Sequence, residues 1–265
     1  MNQQDNFGNS QVDGADVPVA PVIPSPWPFW STIGWSGVIA VAYIVPVIPL
    51  TIIGFLLIKA GNPQLPIDQI SVRLTSSGLF LSIAAIVTAV PVIGLSVLFA
   101  YIRKNISISQ YLALKPLAFR QILKWCLFLV IFAVCNDTLT IILGKPIVPD
   151  WIMDACKSAG FMPLLLFAII VVAPVMEEMF FRGFLFKGLK HSKLGPIGAT
   201  ILTALVWSVL HTQYDIYGIG SIFAGGLLLG YARIKSGSIY APLAMHALMN
   251  LIASIQALIK ISYST

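Results

Sequence analysis

The chain has 265 residues, 58% of them hydrophobic and only 10% charged, whereas a soluble domain of this length carries about a quarter charged residues. Lipid is therefore the solvent for most of it, and one membrane domain fills the length. The net charge of +6 does not indicate nucleic acid, because the basic residues cluster in short gaps between apolar runs and no basic helix or aromatic–basic alternation is present.

Residues 1–32 read as a disordered, acidic, proline-rich tail that leads into an interfacial Trp/Pro segment. No basic stretch precedes an apolar core there, so the segment does not read as a signal peptide. A membrane-spanning helix needs about 20 mostly apolar residues. Seven stretches qualify, at 33–58, 79–102, 122–143, 161–186, 196–214, 216–234 and 238–259. The expected fold is an all-α, polytopic membrane helix bundle of about seven transmembrane helices. It has eight if a re-entrant or interfacial helix forms near 24–35 or 60–75. Residues 33–160 supply the first helices and their loops, 161–259 a functional core, and 260–265 a short tail. Pro46, Pro49, Pro91 and Pro174 are expected to kink their helices or split one.

Between the spans, ten Lys and Arg residues fall on the side of the N-terminal tail and five on the other. That bias places the N-terminus in the cytosol, and in a bacterium the membrane is the cytoplasmic (inner) one. Gly226 and Gly230, with Gly225 beside them, form a small-xxx-small pair that lets two helices approach closely. Cys126, Cys135 and Cys156 show neither a disulfide framework nor a CxxC pair.

Few ionisable residues lie within the spans: Asp137, Glu177, Glu178, Arg182, His211 and His246. A charge at the bilayer centre costs about 2.5–3.5 kcal/mol even on the gentler insertion scales, so such a set suggests a function. Glu178 and Arg182 are i,i+4 and share a helix face as an ion pair. Glu177 is turned about 100° away and needs another partner. His246 and Asn250 are one turn apart on an otherwise oily face. Asp137 reads as a structural group, and His191 as a solvated loop residue. Counting about 1.5 Å per residue from the helix ends, Glu177 lies about 15 Å deep, His246 about 12 Å and His211 about 22 Å. The first two match in depth and the third does not. A carboxylate beside imidazole activates water as a general base, and His and Asn donors stabilise an oxyanion. A Glu/His/His set equally suits Zn²⁺. Both readings lead to hydrolysis of a peptide bond in the membrane.

Three segments together resemble the CPBP (Abi, or type II CAAX prenyl endopeptidase) family of intramembrane proteases. They are "EEMFFR" (Glu177, Glu178, Arg182) for EExxxR, "WSVLH" (Trp207–His211) for FxxxH with Trp in place of Phe, and "HALMN" (His246, Asn250) for HxxxN. The resemblance covers about residues 161–259. It implies a protease site on the cytosolic side in which Glu177 activates water with help from His211. His246 and Asn250 would bind the oxyanion, and Glu178 and Arg182 would shape the site. Whether Glu177, His211 and His246 hold Zn²⁺ or no metal takes part stays open. The implied partners are membrane lipids and a membrane-associated protein or peptide substrate. Two alternatives are a non-catalytic protein of the same fold, in bacteriocin self-immunity or scaffolding, and a proton-coupled transporter. The lack of an internal repeat counts against the transporter. The chain ends "KISYST" and so carries no CaaX box of its own.

Overall fold

The structure is a computed structural model that describes residues 25–264. Ten helices form it, and among the described residues there is no strand. In chain order they are α1 (Phe29–Gly61), α2 (Ile67–Thr75), α3 (Gly78–Tyr101), α4 (Ile108–Leu112), α5 (Phe119–Ile142) and α6 (Asp150–Lys157). There follow α7 (Met162–Lys190), α8 (Gly195–Val209), α9 (Ile216–Ser236) and α10 (Tyr240–Ser264). All seven expected stretches are helical, and α2 is the short helix anticipated near 60–75. Most of the expected tail, residues 1–24, lies outside the described residues. Its last part differs from expectation, because the chain is already helical from Phe29, where Thr32 donates both its N–H and its hydroxyl to the Pro28 carbonyl.

Among the described residues five helices are long and apolar enough to cross a membrane: α1, α3, α5, α7 and α10. Their number shows a multi-pass membrane protein. Two of the seven expected spans, α8 and α9, are not among these five. At 15 residues α8 rises about 22 Å, short of a hydrocarbon core of about 30 Å. The helix stops at Val209 rather than 214 because the polar run His-Thr-Gln-Tyr-Asp follows. His211 N–H closes a turn on the Ser208 carbonyl, and the Asp215 carboxylate caps the new helix by accepting from Gly218 N–H at 2.8 Å.

The prolines neither split nor end α1 and α3, which run unbroken through Pro46, Pro49 and Pro91. α1 is apolar on every side and exposes Val41, Ile44, Val45, Ile48 and Ile52, as a lipid-facing helix does. α7 lies at the centre. It packs against α3, α4 and α1 on one flank and against α8 and α10 on the other. Two apolar clusters meet on it: Met176 and Phe184 join Ile39, Val92 and Phe99, while Phe181, Leu185 and Leu189 join Trp207, Leu229 and Met245. α8 and α9 run against each other as the glycine pair requires. A Cβ on Gly226 would lie 3.0 Å from Trp207 Cε3, and one on Gly230 would lie 2.5 Å from Thr200 Cγ2.

Candidate active site

The site is built on an irregularity of α7. Within this helix, Ala168–Val172 and Met179–Leu185 are π-helical, and the α-helical turn Ala173–Glu178 lies between them. In a π turn each N–H reaches back five residues rather than four. Ala173 N–H accordingly bonds the Ala168 carbonyl, and Phe186 N–H bonds the Phe181 carbonyl. When the register returns to four, the next carbonyl is skipped. The skipped groups are those of Ile169 and Arg182. At the first switch Pro174 also has no N–H to offer. Each orphan carbonyl is taken by a side chain of another helix: Asn250 Nδ2 donates to Ile169 O at 2.8 Å, and Arg233 Nε donates to Arg182 O at 2.9 Å. The two π turns thus tie α10 and α9 to α7 on either side of Glu177 and Glu178.

Glu178 and Arg182 form the expected clasp, with Nη1 donating to Oε1 at 2.8 Å and both side chains fully buried. The guanidinium lies 4.6 Å over the Trp207 ring. Glu178 Oε1 also accepts from His246 Nδ1–H at 2.9 Å, which joins α10 to the pair. This bond fixes the imidazole orientation and turns Nε2 toward Glu177. Glu178 Oε2 and Arg182 Nε have no hydrogen-bond partner among the described residues.

Glu177 finds the separate partners that its helix position demands. Its Oε2 accepts from Trp207 Nε1–H and stands 3.9 Å from His246 Nε2, beyond direct hydrogen-bonding distance. The two carboxylates differ in access: the Glu178 side chain is sealed, whereas that of Glu177 is 20% exposed. Glu177 is therefore the one that can meet water.

His211 lies just beyond the end of α8, half-buried. Its Nδ1–H donates to the Trp207 carbonyl at 2.8 Å, and its ring meets Trp207 edge-on at 5.0 Å. Nε2 is again the free nitrogen. Trp207 also touches His246 edge-on at 5.2 Å. The depth mismatch at His211 thus has a structural answer. Trp207 is the α8 residue at the level of Glu177, and His211 hangs one turn beyond it, joined through the indole. Asn250 sits one turn from His246, with one amide N–H committed to Ile169 O.

Among the described residues no three His, Cys, Asp or Glu side chains converge as a metal site. Of the expected zinc set, Glu177 and His246 approach each other, and both His246 and His211 spend Nδ1, on Glu178 and on a carbonyl, and keep Nε2 free, as a metal-binding imidazole also does. Asp137 accepts from Gln256 Nε2 at 2.7 Å, a link between α5 and α10, and His191 is exposed, as expected of both. The motifs do not show the roles of two residues. Arg233, near the end of the expected span 216–234, is buried at 5% exposure on the carbonyl of Arg182 and the ring of Phe186. Trp207 supplies a polar bond as well as bulk. The only sequence signal for it was a Trp where the motif has Phe.

Residues 159–252 match the family model described as type II CAAX prenyl endopeptidase Rce1-like, a family of peptidases. The match covers all three motifs and agrees with the resemblance to the CPBP family. Among curated proteins the chain is similar to "Uncharacterized protein YyaK" of Bacillus subtilis (strain 168), with 33% identity over 113 residues, 39% of this chain and 38% of that protein. It is also similar to an "Uncharacterized 24.3 kDa protein" of Escherichia coli, with 32% identity over 95 residues, 35% of this chain and 43% of that protein. The chain thus spans about two fifths of the length of these relatives. No solved structure matches it significantly.

Proposed function

From a chain whose residues 159–252 match the Rce1-like type II CAAX prenyl endopeptidases, we propose an intramembrane endopeptidase that cleaves a membrane-associated protein or peptide. The observation that carries this reading is the pairing of Glu177 and His246, two groups from different helices that face each other at 3.9 Å. That gap is too wide for a direct bond and suits a bridging water. Glu177 takes a proton from this water, and the hydroxide oxygen bonds to the scissile carbonyl carbon. The free Nε2 of His211 assists by relaying the proton. The carbonyl electron pair moves onto oxygen, where His246 Nε2–H and the second amide N–H of Asn250 hold it. As the tetrahedral adduct collapses, the C–N bond breaks and the proton passes from Glu177 to the leaving amine.

Glu178 acts through His246. A buried carboxylate on Nδ1 orients the ring so that Nε2 faces the developing oxyanion. Arg182 balances the charge of Glu178 in turn. The N-terminus is cytosolic in this reading, and the membrane is a bacterial inner membrane.

The test is cleavage of a peptide panel by the protein purified in detergent. Glu177→Gln and His211→Ala each lose turnover by at least about 10²-fold while the protein stays folded, as expected for loss of a general base or its aid. Wild-type turnover by the Glu177→Gln protein refutes the mechanism.

A further inference from the structure

Trp207 touches four ionisable side chains of the site. Its indole N–H donates to Glu177 Oε2, and its ring edges meet His211 at 5.0 Å and His246 at 5.2 Å. The Arg182 guanidinium covers its ring at 4.6 Å, and its carbonyl holds His211 Nδ1–H. The side chain is fixed: it is 1% exposed, and Gly226 backs its ring so closely that a Cβ there would lie 3.0 Å from Cε3. Bulk alone could come from any large aromatic. An indole has one polar group, a donor that must find an acceptor when buried. In this core it finds the carboxylate oxygen that stands nearest His246.

We propose that Trp207 is the positioning residue of the site. Its N–H pins Oε2 of Glu177 and so sets the orientation of the carboxylate that takes the proton from water. Its ring serves as the wall between the two imidazoles and keeps them on separate sides of Glu177. The kinetic part of this inference rests on the peptidase reading, while the Trp207–Glu177 bond does not.

The test replaces the N–H without the shape. 3-Benzothienylalanine introduced at position 207 keeps the bicyclic ring and removes the donor, and Trp207→Phe is the simpler companion. A carboxylate freed to turn misplaces the base by about 1 Å, which costs up to about 10²-fold. The expected result is kcat lower by about 10- to 10²-fold with KM within about twofold. A donor-free protein with wild-type kcat overturns the role. So does a loss that falls on KM alone, which marks a packing defect at the substrate face. The second arm is the ¹⁵N–¹H indole spectrum in detergent, where the Trp207 signal is identified by its loss in Trp207→Phe. That proton moves upfield in Glu177→Gln, when a neutral amide replaces the carboxylate. An indole signal indifferent to Glu177→Gln overturns the contact. A wild-type protein that cleaves nothing removes the peptidase reading and the kinetic role with it, and the indole shift then decides the contact alone.

Discussion

Replacing Arg182 by Ala strands a charge in the centre of the protein. Glu178 is 0% exposed and loses the 2.8 Å bond to Nη1. What remains is His246 Nδ1–H on Oε1, while Oε2 already lacks a partner among the described residues. Removing one member of a buried ion pair costs about 3–5 kcal/mol, chiefly through the uncompensated charge left behind. The Trp207 ring also loses its cation, worth up to about 2 kcal/mol when desolvated. Part of this overlaps with the first loss, so a destabilisation of about 4 kcal/mol is expected. The double variant Glu178→Gln, Arg182→Met removes both charges, keeps an acceptor for His246 and fills the volume, so it should cost about 1–2 kcal/mol. Equilibrium unfolding in lipid bicelles measures both. The reasoning fails if Arg182→Ala lies within about 1 kcal/mol of wild type, or if the double variant is as unstable as the single one.

Two further outcomes follow from the hairpin of α8 and α9. Gly230→Ala sets a Cβ 2.5 Å from Thr200 Cγ2 and should destabilise by about 1–3 kcal/mol in the same unfolding assay; Thr200→Ser, which deletes that methyl, should recover most of the loss. At the opposite end of the hairpin, the Lys145 ammonium, with Gly218 N–H, holds the Asp215 carboxyl below the usual carboxylate range. Its folded pKa is depressed, so the contribution to stability is complete above the ordinary Asp value and is lost as pH falls through the lower, folded one. Melting temperature followed down through the acid range should therefore show a decline that Lys145→Ala weakens, and equal slopes in the two proteins would contradict the assignment.

Most of the helix pattern could be read from hydropathy, because apolar runs of about 20 residues bounded by charge have few other uses. The α8–α9 hairpin was misjudged because composition does not show that His211 to Asp215 form a turn rather than the last turn of a helix. The Glu178–Arg182 clasp and the separate orientation of Glu177 followed from helix geometry alone. The partner of Glu177 did not, because Trp207 lies 30 residues away on another helix and the contact depends on how α7 and α8 pack. The π turns were equally hidden: a switch of hydrogen-bond register leaves the side-chain composition unchanged, and Pro174 suggested a kink when the chain instead takes up the irregularity through π turns.

Those π turns explain how a polar centre is held in lipid. An unsatisfied backbone group costs several kcal/mol where no water can reach it, so each skipped carbonyl demands a donor. α7 draws those donors from its neighbours, Asn250 on α10 for Ile169 and Arg233 on α9 for Arg182. Asn250 comes from the same helix face as His246, so the bond that satisfies the first carbonyl also sets the height of His246 beside Glu177. Arg233 anchors α9, whose Gly226 backs Trp207, so the second bond steadies the indole that holds the carboxylate. The backbone irregularity and the side-chain constellation are therefore one construction: the carbonyls left over by the register switches fasten the helices that carry His246 and back Trp207.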